Sequence, residues 1–371
     1  MKIRPFQAIY PNIDFIASPD SFCMEAKTAF QEFKKNGLFN KTAQDALYVF
    51  QIENGPRLHT GLIGLNELAD YHDGKIRKHE ATLSEKEQSQ MQLFLRWQAI
   101  LKPVLLVYRK VAAISTWLEN FTKKNEPFFS VHFEKDGQTH RAWTVTDGRQ
   151  IAELQQLFEQ NVAETYIADG HHRTSTVALL HERLKGKPSE FNFDELFCAW
   201  FASDQLDILD YNRVVEGLKD VSPMRFMAQM AQLFDIEFLE NPARPRHKHE
   251  LTMVAGKEWF RLSWRADILK KQPDGGILLD ANLLNEYVLE RILGIADVRT
   301  DTRITYVEGA RSLRRFENVA GQNRNSIGFM LFPVALDDLM ALSDRGEMLP
   351  PKSTYFEPRL RSGLIVKEIK D

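Results

Sequence analysis

Apolar and polar positions change period repeatedly along the chain, and each change marks an element. Ala46-Leu47-Tyr48-Val49-Phe50-Gln51-Ile52 is rich in apolar and aromatic residues and is closed by Asn54-Gly55-Pro56, which predicts a strand and a turn. Residues 60–65 predict its antiparallel partner. From Ser84 onward, Met91, Phe94, Leu95 and Leu101 share one helical face, and Ser84-x-x-Glu87 reads as a capping box. Pro103 is expected to stop that helix, with Val104–Tyr108 following as a buried strand. Residues 128–133 and 141–145 flank Lys135-Asp136-Gly137-Gln138, a hairpin signature. A helix over residues 150–160 leads into the short apolar run before Asp169.

Beyond Asp220 the texture changes. Residues 223–234 are helical, residues 251–254 and 259–264 alternate around Gly256 like a hairpin, and residues 282–293 form an amphipathic helix that ends near Gly294. These elements predict an α+β protein, a mixed sheet with helices. The expected division is residues 1–220 and residues 221–371.

Composition narrows the class. Of 371 residues, 43% are hydrophobic and 27% charged, as in ordinary globular proteins. A net charge of −3 exerts no global pull on nucleic acid or acidic membranes, so neither is an expected partner. The two cysteines, Cys23 and Cys198, form no metal-type pair and no disulfide framework, which fits a reducing, cytoplasmic setting. Val104–Tyr108 is too short to span a bilayer, and the first residues lack the apolar run of a signal peptide.

The chemistry concentrates where the pattern switches from strand to helix. In Asp169-Gly170-His171-His172-Arg173-Thr174 an apolar run ends, Asp169 is placed to cap, and Gly170 permits a tight turn. A helix follows with Val177, Leu180 and Leu184 on one face. Its first turn presents backbone N–H groups and the positive end of the dipole beside two imidazoles and a guanidinium. Such a start suits phosphate or carboxylate; the bland alternative is a solvated helix start. It is neither the Walker A pattern nor Gly-x-Gly-x-x-Gly.

Two further segments carry polar chemistry. Lys78-His79-Glu80-Ala81-Thr82 sets an imidazole, a carboxylate and a hydroxyl together, and Glu80 beside bound phosphate can act as general base. Its alternative is a charged loop entering a helix. Pro350-Pro351-Lys352-Ser353-Thr354 presents an ammonium and two hydroxyls that can contact phosphate, or a proline-led strand facing water. His79, Glu80, His171 and His172 also admit zinc or manganese, although no pair has the spacing that puts two histidines on one helical face. His247 and His249 beside Glu250 lie on a basic loop and read as solvated.

Together these segments resemble the bacterial and archaeal family called domain of unknown function 1015. The family's Lys/Arg-His-Glu-x-Thr pattern is matched at residues 78–82, its Asp-Gly-His-His-Arg core at 169–173, and its Pro-Pro-Lys-Ser-Thr-x-Phe at 350–356. The trailing Pro-Lys/Arg-Leu-x-Ser-Gly-Leu is matched at 358–364, and Trp143, Arg213 and Tyr306 stand at corresponding places. One departure is Ser18-Pro19-Asp20-Ser21-Phe22, where many members carry Pro-Pro-Tyr-Asp-Val. The Asp-Gly-His-His-Arg element is also similar to the phosphate-binding turn of the ParB and sulfiredoxin group and of archaeal free serine kinases, which use ADP.

That resemblance implies a ParB/sulfiredoxin-like phosphate-binding core elaborated by a second α+β region, whose Pro-Pro-Lys-Ser-Thr segment can return to the site. It implies a nucleotide-dependent phosphotransferase acting on a small hydroxyl metabolite, with L-serine or phosphoserine the named guess. Asp169, Gly170, His171, Arg173, Thr174, Lys352, Ser353 and Thr354 would bind an adenine nucleotide, ADP or ATP, with Mg2+. Glu80, His79 and His172 would be catalytic, with Glu80 the base, and Thr82 and Arg213 would bind substrate. His171, His172, Arg173 and Lys352 would supply positive charge. A non-catalytic nucleotide-binding regulator and a metal-dependent hydrolase are the competing classes. A small molecule is the expected partner, with homodimerisation left open.

Overall fold

The apolar runs of the first half pair as strands of one sheet. The computed structural model describes residues 1–218, 221–270, 276–323 and 325–370. It divides into two units, residues 1–207 with 358–371, and residues 208–357. The division expected at residue 220 falls on residues 219–220, outside those described.

The elements of the first unit that matter for the site run in chain order. They are β1 (Leu47–Asn54), β2 (Arg57–Glu67), β3 (Ile76–Arg77), α1 (Ser84–Trp97), β4 (Val104–Tyr108), β5 (Phe129–Phe133), β6 (Gln138–Val145), α2 (Gly148–Asn161), β7 (Thr165–Asp169), α3 (His171–Leu184) and β8 (Glu195–Ala202). The nine-stranded sheet has the order β3-β7-β4-β8-β2-β1-β6-β5, with Ile3–Arg4 beside β2. Strands β3 and β7 run parallel, as do β4 and β8, while β1–β2, β5–β6 and β4–β7 are antiparallel. The sheet is therefore mixed.

Central strand β4 and residues 196–202 of β8 are apolar without interruption because both faces are covered. Leu106 and Trp200 are fully buried there, each side chain contributing roughly 1.5–3 kcal/mol of transfer free energy. The β1–β2 and β5–β6 hairpins form as the alternation and turn residues predict, with Tyr48 opposite Ile63 and His140 opposite Val131. In α2, Asp147 accepts from the N–H groups of Arg149 and Gln150, both at 3.0 Å, an N-cap that fixes the helix start.

Helix α1 departs from expectation at both ends. It ends at Trp97, because Gln98 adopts a left-handed conformation (φ 52°), and Leu101 lies beyond it near a short strand, Ala99–Ile100. Its N-cap is Leu83 with no side-chain cap, so the Ser84–Glu87 capping box does not form. Glu87 is instead turned toward α3.

The second unit is built on a six-stranded antiparallel sheet. Its order is Phe234–Leu239, Glu258–Trp264, Glu250–Ala255, Ile327–Leu331, Tyr211–Val215 and Ile304–Glu308. Phe226, Met230, Leu284 and Val288 pack with Leu251, Met253 and Phe329 in one core, and Phe316 and Ala320 pack with Val254 and Met330 in another. The helix anticipated over 282–293 is an α-turn, Asp280–Leu283, continued as a π-helix, Leu284–Glu290. Among the described residues no helix is long and apolar enough to cross a membrane. The fold is α+β.

Candidate functional site

Strand β7 brings the two N-terminal motifs together. It pairs in parallel with β3, Thr165 opposite Ile76 and Tyr166 opposite Arg77, so the chain leaving β3 runs beside the chain leaving β7. A bulge then interrupts β7: Ile167 pairs with Leu106 and Asp169 with Leu105, leaving Ala168 over. Bulges re-aim the side chains that follow, and here the residue that follows is Asp169.

Gly170, not Asp169, is the N-cap of α3. Its φ of 117° is open to glycine, and no side chain caps the helix start. The first-turn N–H groups of α3 are therefore not consumed by a cap. Asp169 is occupied elsewhere: its Oδ2 accepts from Lys102 Nζ at 2.7 Å and from Arg173 Nη2 at 2.9 Å. Arg173 also donates to the Asp169 carbonyl at 3.3 Å. A Cβ at position 170 would meet Arg173 Nη2 at 2.7 Å, so glycine is what lets the guanidinium fold back over the turn. Burial pushes the Asp169 carboxyl up, but the two adjoining cations outweigh it and hold it well below the usual carboxylate range.

The histidines do not carry charge here. Burial lowers His171 to about 4, against the opposing pull of Asp169. Burial, then the neighbouring His171, lowers His79 well below the ordinary imidazole value, and burial lowers His172 as well. The expectation that His171 and His172 supply positive charge is thus corrected: burial costs an imidazolium more than Asp169 returns. At neutral pH the cations around Asp169 are Arg173 and Lys102, the latter in the loop after Ala99–Ile100.

Glu80 and His79 close on the same helix start. The His79 backbone N–H donates to His171 Nε2 at 3.5 Å, and the two rings meet edge-on with centroids 4.5 Å apart. A neutral imidazole that accepts at Nε2 carries its proton on Nδ1. That Nδ1 lies 3.8 Å from Oε2 of Glu80. One helical turn on, Thr82 Oγ1 lies 3.5 Å from Ser175 Oγ, and Ser175 donates to Oε1 of Glu87. Hydrogen bonds from Ser175 and Thr82 lower the Glu87 carboxyl below its ordinary value. Thr174 is fully buried, and its hydroxyl returns to the Gly170 carbonyl at 3.2 Å, so it anchors the turn from within.

The remaining sequence-derived residues lie in the second unit. Lys352 has φ 56°, and its ammonium sits 5.0 Å from the ring centre of Tyr211. Ser353 donates to the Pro350 carbonyl at 2.8 Å, and Thr354 follows in the same loop. Arg213 is completely buried, donating to the Tyr211 carbonyl at 3.1 Å with its guanidinium 5.6 Å from the ring centre of Tyr306.

A protein-held metal needs several side chains converging on one point. Among the described residues no group of three or more His, Cys, Asp or Glu side chains could hold a metal ion. His79, Glu80, His171 and His172 are adjacent but do not converge as ligands, because His171 Nε2 is turned to a backbone N–H. Asp169 is taken by its two cations. The described residues therefore form no ready cage for a protein-held zinc or manganese. Mg2+ bound mainly through a nucleotide's own phosphates requires no such cage.

Sequence reasoning missed Lys102 and misassigned Glu87. Lys102 stands alone before Pro103 with no motif around it, and only strand order places it beside Asp169. Glu87 carried a signal, but the capping box was the nearer explanation of it.

The fold and site define an α+β protein with an uncapped, basic helix start assembled against a carboxylate loop. The chain belongs to the family described as Protein of unknown function (DUF1015), whose pattern matches residues 6–286. No curated protein matches it. Among solved structures it is similar to a free serine kinase in complex with AMP, at 15% identity and a TM-score of 0.40, covering 83% of this chain and 91% of that one. A mutant of such a kinase in complex with ADP gives the same identity and score and covers 92% of that chain. SbnI with C-terminal truncation from Staphylococcus aureus is similar at 12% identity and a TM-score of 0.41, covering 81% of this chain and 85% of that one.

Proposed function

We propose that the first unit binds the phosphates of an adenine nucleotide at the start of α3 and transfers a phosphoryl group to a small hydroxyl metabolite. The observation that carries this reading is the gathering of Lys102 and Arg173 on one oxygen of Asp169, beside a first turn with no cap. Phosphate oxygens find there what they need: fixed cations and backbone N–H groups in a partly desolvated place.

The reaction balances with residues at hand. The acceptor hydroxyl oxygen forms a bond to phosphorus as the bond to the bridging oxygen of ADP or ATP breaks, and AMP or ADP leaves. The hydroxyl proton passes to the Glu80 carboxylate. His171, neutral and with its proton on Nδ1, orients that carboxylate, and the His79 N–H in turn fixes the imidazole. Thr82 and His172 border the acceptor side. Lys352, Ser353, Thr354 and Arg213 are proposed as phosphate and substrate contacts in their own right. Mg2+, when bound with the nucleotide, would neutralise the transferred group's charge.

L-Serine is the acceptor we name first, with phosphoserine as its product. The test is incubation of the whole chain with Mg2+, ADP or ATP and L-serine, followed by phosphorus NMR, and the reverse with phosphoserine and AMP or ADP. New phosphoserine or its nucleotide-dependent loss supports the reading. If neither appears with serine, and a panel of hydroxy acids, polyols and nucleosides yields no phosphorylated product, the reading fails.

A further inference from the structure

A site for phosphate at neutral pH must hold charge that survives burial, and the two conspicuous histidines do not meet that condition. His171 is 7% exposed, and its proton affinity is depressed to about 4, so it meets an anion as a neutral ring. His172 and His79 are depressed too. Two cations stand against Asp169, and one carboxylate balances only one of them.

Arg173 is pinned from two sides. Its Nη2 donates both to the Asp169 carbonyl and to Oδ2, and its Nε is enclosed. Among the described residues Lys102 makes one hydrogen bond, 2.7 Å to the same Oδ2, through one of its three N–H donors. Its side chain keeps 19% exposure, and the contact to Asp169 holds the ammonium in place. An ammonium fixed at one N–H with others available is what a phosphoryl oxygen requires.

We propose that Lys102 contacts the phosphate of the bound nucleotide directly and supplies the charge that the histidine motif does not, with Asp169 positioning it. This inference rests on the anion-binding half of the proposed function. It needs no turnover, and it narrows the ligand class to phosphate-bearing anions.

The groups facing Lys102 are Asp169 at the end of β7, Arg173 on α3 and Arg359 in the segment after Pro358. Burial lowers Lys102 to about 8, with Asp169 opposing and the two arginines adding to the effect. Anion affinity should therefore fall as pH rises through 8 to 9.5, because the ammonium is lost. A histidine-charged site would lose affinity between pH 6 and 7 and be flat above that.

The experiment is calorimetric titration of the whole chain with inorganic pyrophosphate and with ADP, from pH 7.2 to pH 9.5, on wild type, Lys102→Met and Lys102→Arg. Wild type is expected to weaken about tenfold or more across that range. Lys102→Met should bind at least tenfold more weakly at pH 7.2 and show no alkaline limb. Lys102→Arg, which keeps its charge throughout, should bind with a flat profile, and it carries the test should the Met variant not fold. Unchanged affinity in both variants overturns the inference while leaving the site standing. No binding of either anion by wild type overturns the site reading and this inference together.

Discussion

Oε2 of Glu80 lies 3.8 Å from Nδ1 of His171, joining the loop after β3 to the first residue of α3. The contact exists because β3 and β7 pair in parallel, which delivers both segments to the same end of the sheet. If Glu80 receives the acceptor's proton, Glu80→Gln removes the base and leaves the shape. Turnover should fall by about 100-fold or more while ADP affinity stays within about threefold of wild type. Titration and product assays on the same preparation check both. Turnover that survives the substitution would move the base elsewhere, with Glu87 the nearest alternative. Binding without turnover in wild type would favour the regulator.

Gly170 supports a second expectation. Alanine there is strained at φ 117°, at a cost of about 1–3 kcal/mol, and its methyl would occupy the place of Arg173 Nη2. The guanidinium would have to leave that place, leaving Asp169 with Lys102 alone. Gly170→Ala should lower the midpoint of thermal unfolding and weaken pyrophosphate binding, whereas Gly137→Ala, at another turn with positive φ but nothing within 4 Å, should only lower the midpoint. Equal anion affinity in the two variants would show that the fold-back of Arg173 is irrelevant to binding.

How far the sequence reached depended on what each signal measures. The β1–β2 and β5–β6 hairpins and the buried β4 were legible because alternation, burial and turn residues are local. The end of α1 was not, since a left-handed Gln98 has no strong signature and Pro103 offered a louder stop. In the site, Asp169, Gly170 and Arg173 announce themselves in six residues. Their division of labour does not: capping suits an isolated aspartate, and only the arrival of Lys102 makes ion pairing the stronger use of it. The charge state of His171 was likewise invisible, because burial is a property of the packed sheet and helix. The antiparallel edge strand Phe234–Leu239 went unread although Phe234-Asp235-Ile236-Glu237-Phe238 alternates, because the helix read over 223–234 runs directly into it.

The buried imidazoles predict an acid-labile protein. His171 is lowered to about 4 and His140 to about 3, both mainly by burial, from an ordinary 6.5. Because the folded values lie below the unfolded one, the unfolded chain takes up protons first as pH falls. Their stabilising effect is complete above pH 6.5 and is lost progressively from there toward pH 4. Each contributes a slope of up to about 1.4 kcal/mol per pH unit inside that window. Urea unfolding at pH 7.5, 6.0, 5.0 and 4.5 measures it. His140→Leu, replacing a ring packed between Phe50 and Phe133, should flatten the slope, and an unchanged slope would rule out His140 as a contributor.

Asp169 allows charge and placement to be separated. Asp169→Asn keeps the shape and one acceptor oxygen but leaves Lys102 and Arg173 without a counter-charge. Each lost charge-assisted hydrogen bond is worth about 1.5–3 kcal/mol when buried. The side chains here retain 16–30% exposure, so we expect a total loss at the low end for two such bonds, about 3 kcal/mol or less. For anion binding the sign reverses at a pH low enough to keep Lys102 protonated: with the carboxylate gone the helix start is more positive, and pyrophosphate should bind as tightly as in wild type or more so. The alkaline loss of affinity moves to lower pH, because Asp169 no longer holds the Lys102 proton against burial. Phosphoryl transfer depends instead on where the cations stand, and misplacement by about 1 Å costs on the order of 100-fold. The variant should therefore bind well and turn over poorly, a split that neither simple unfolding nor simple loss of charge would produce. Weaker binding together with full activity per bound nucleotide would mean that Asp169 touches the ligand itself rather than holding the groups that do.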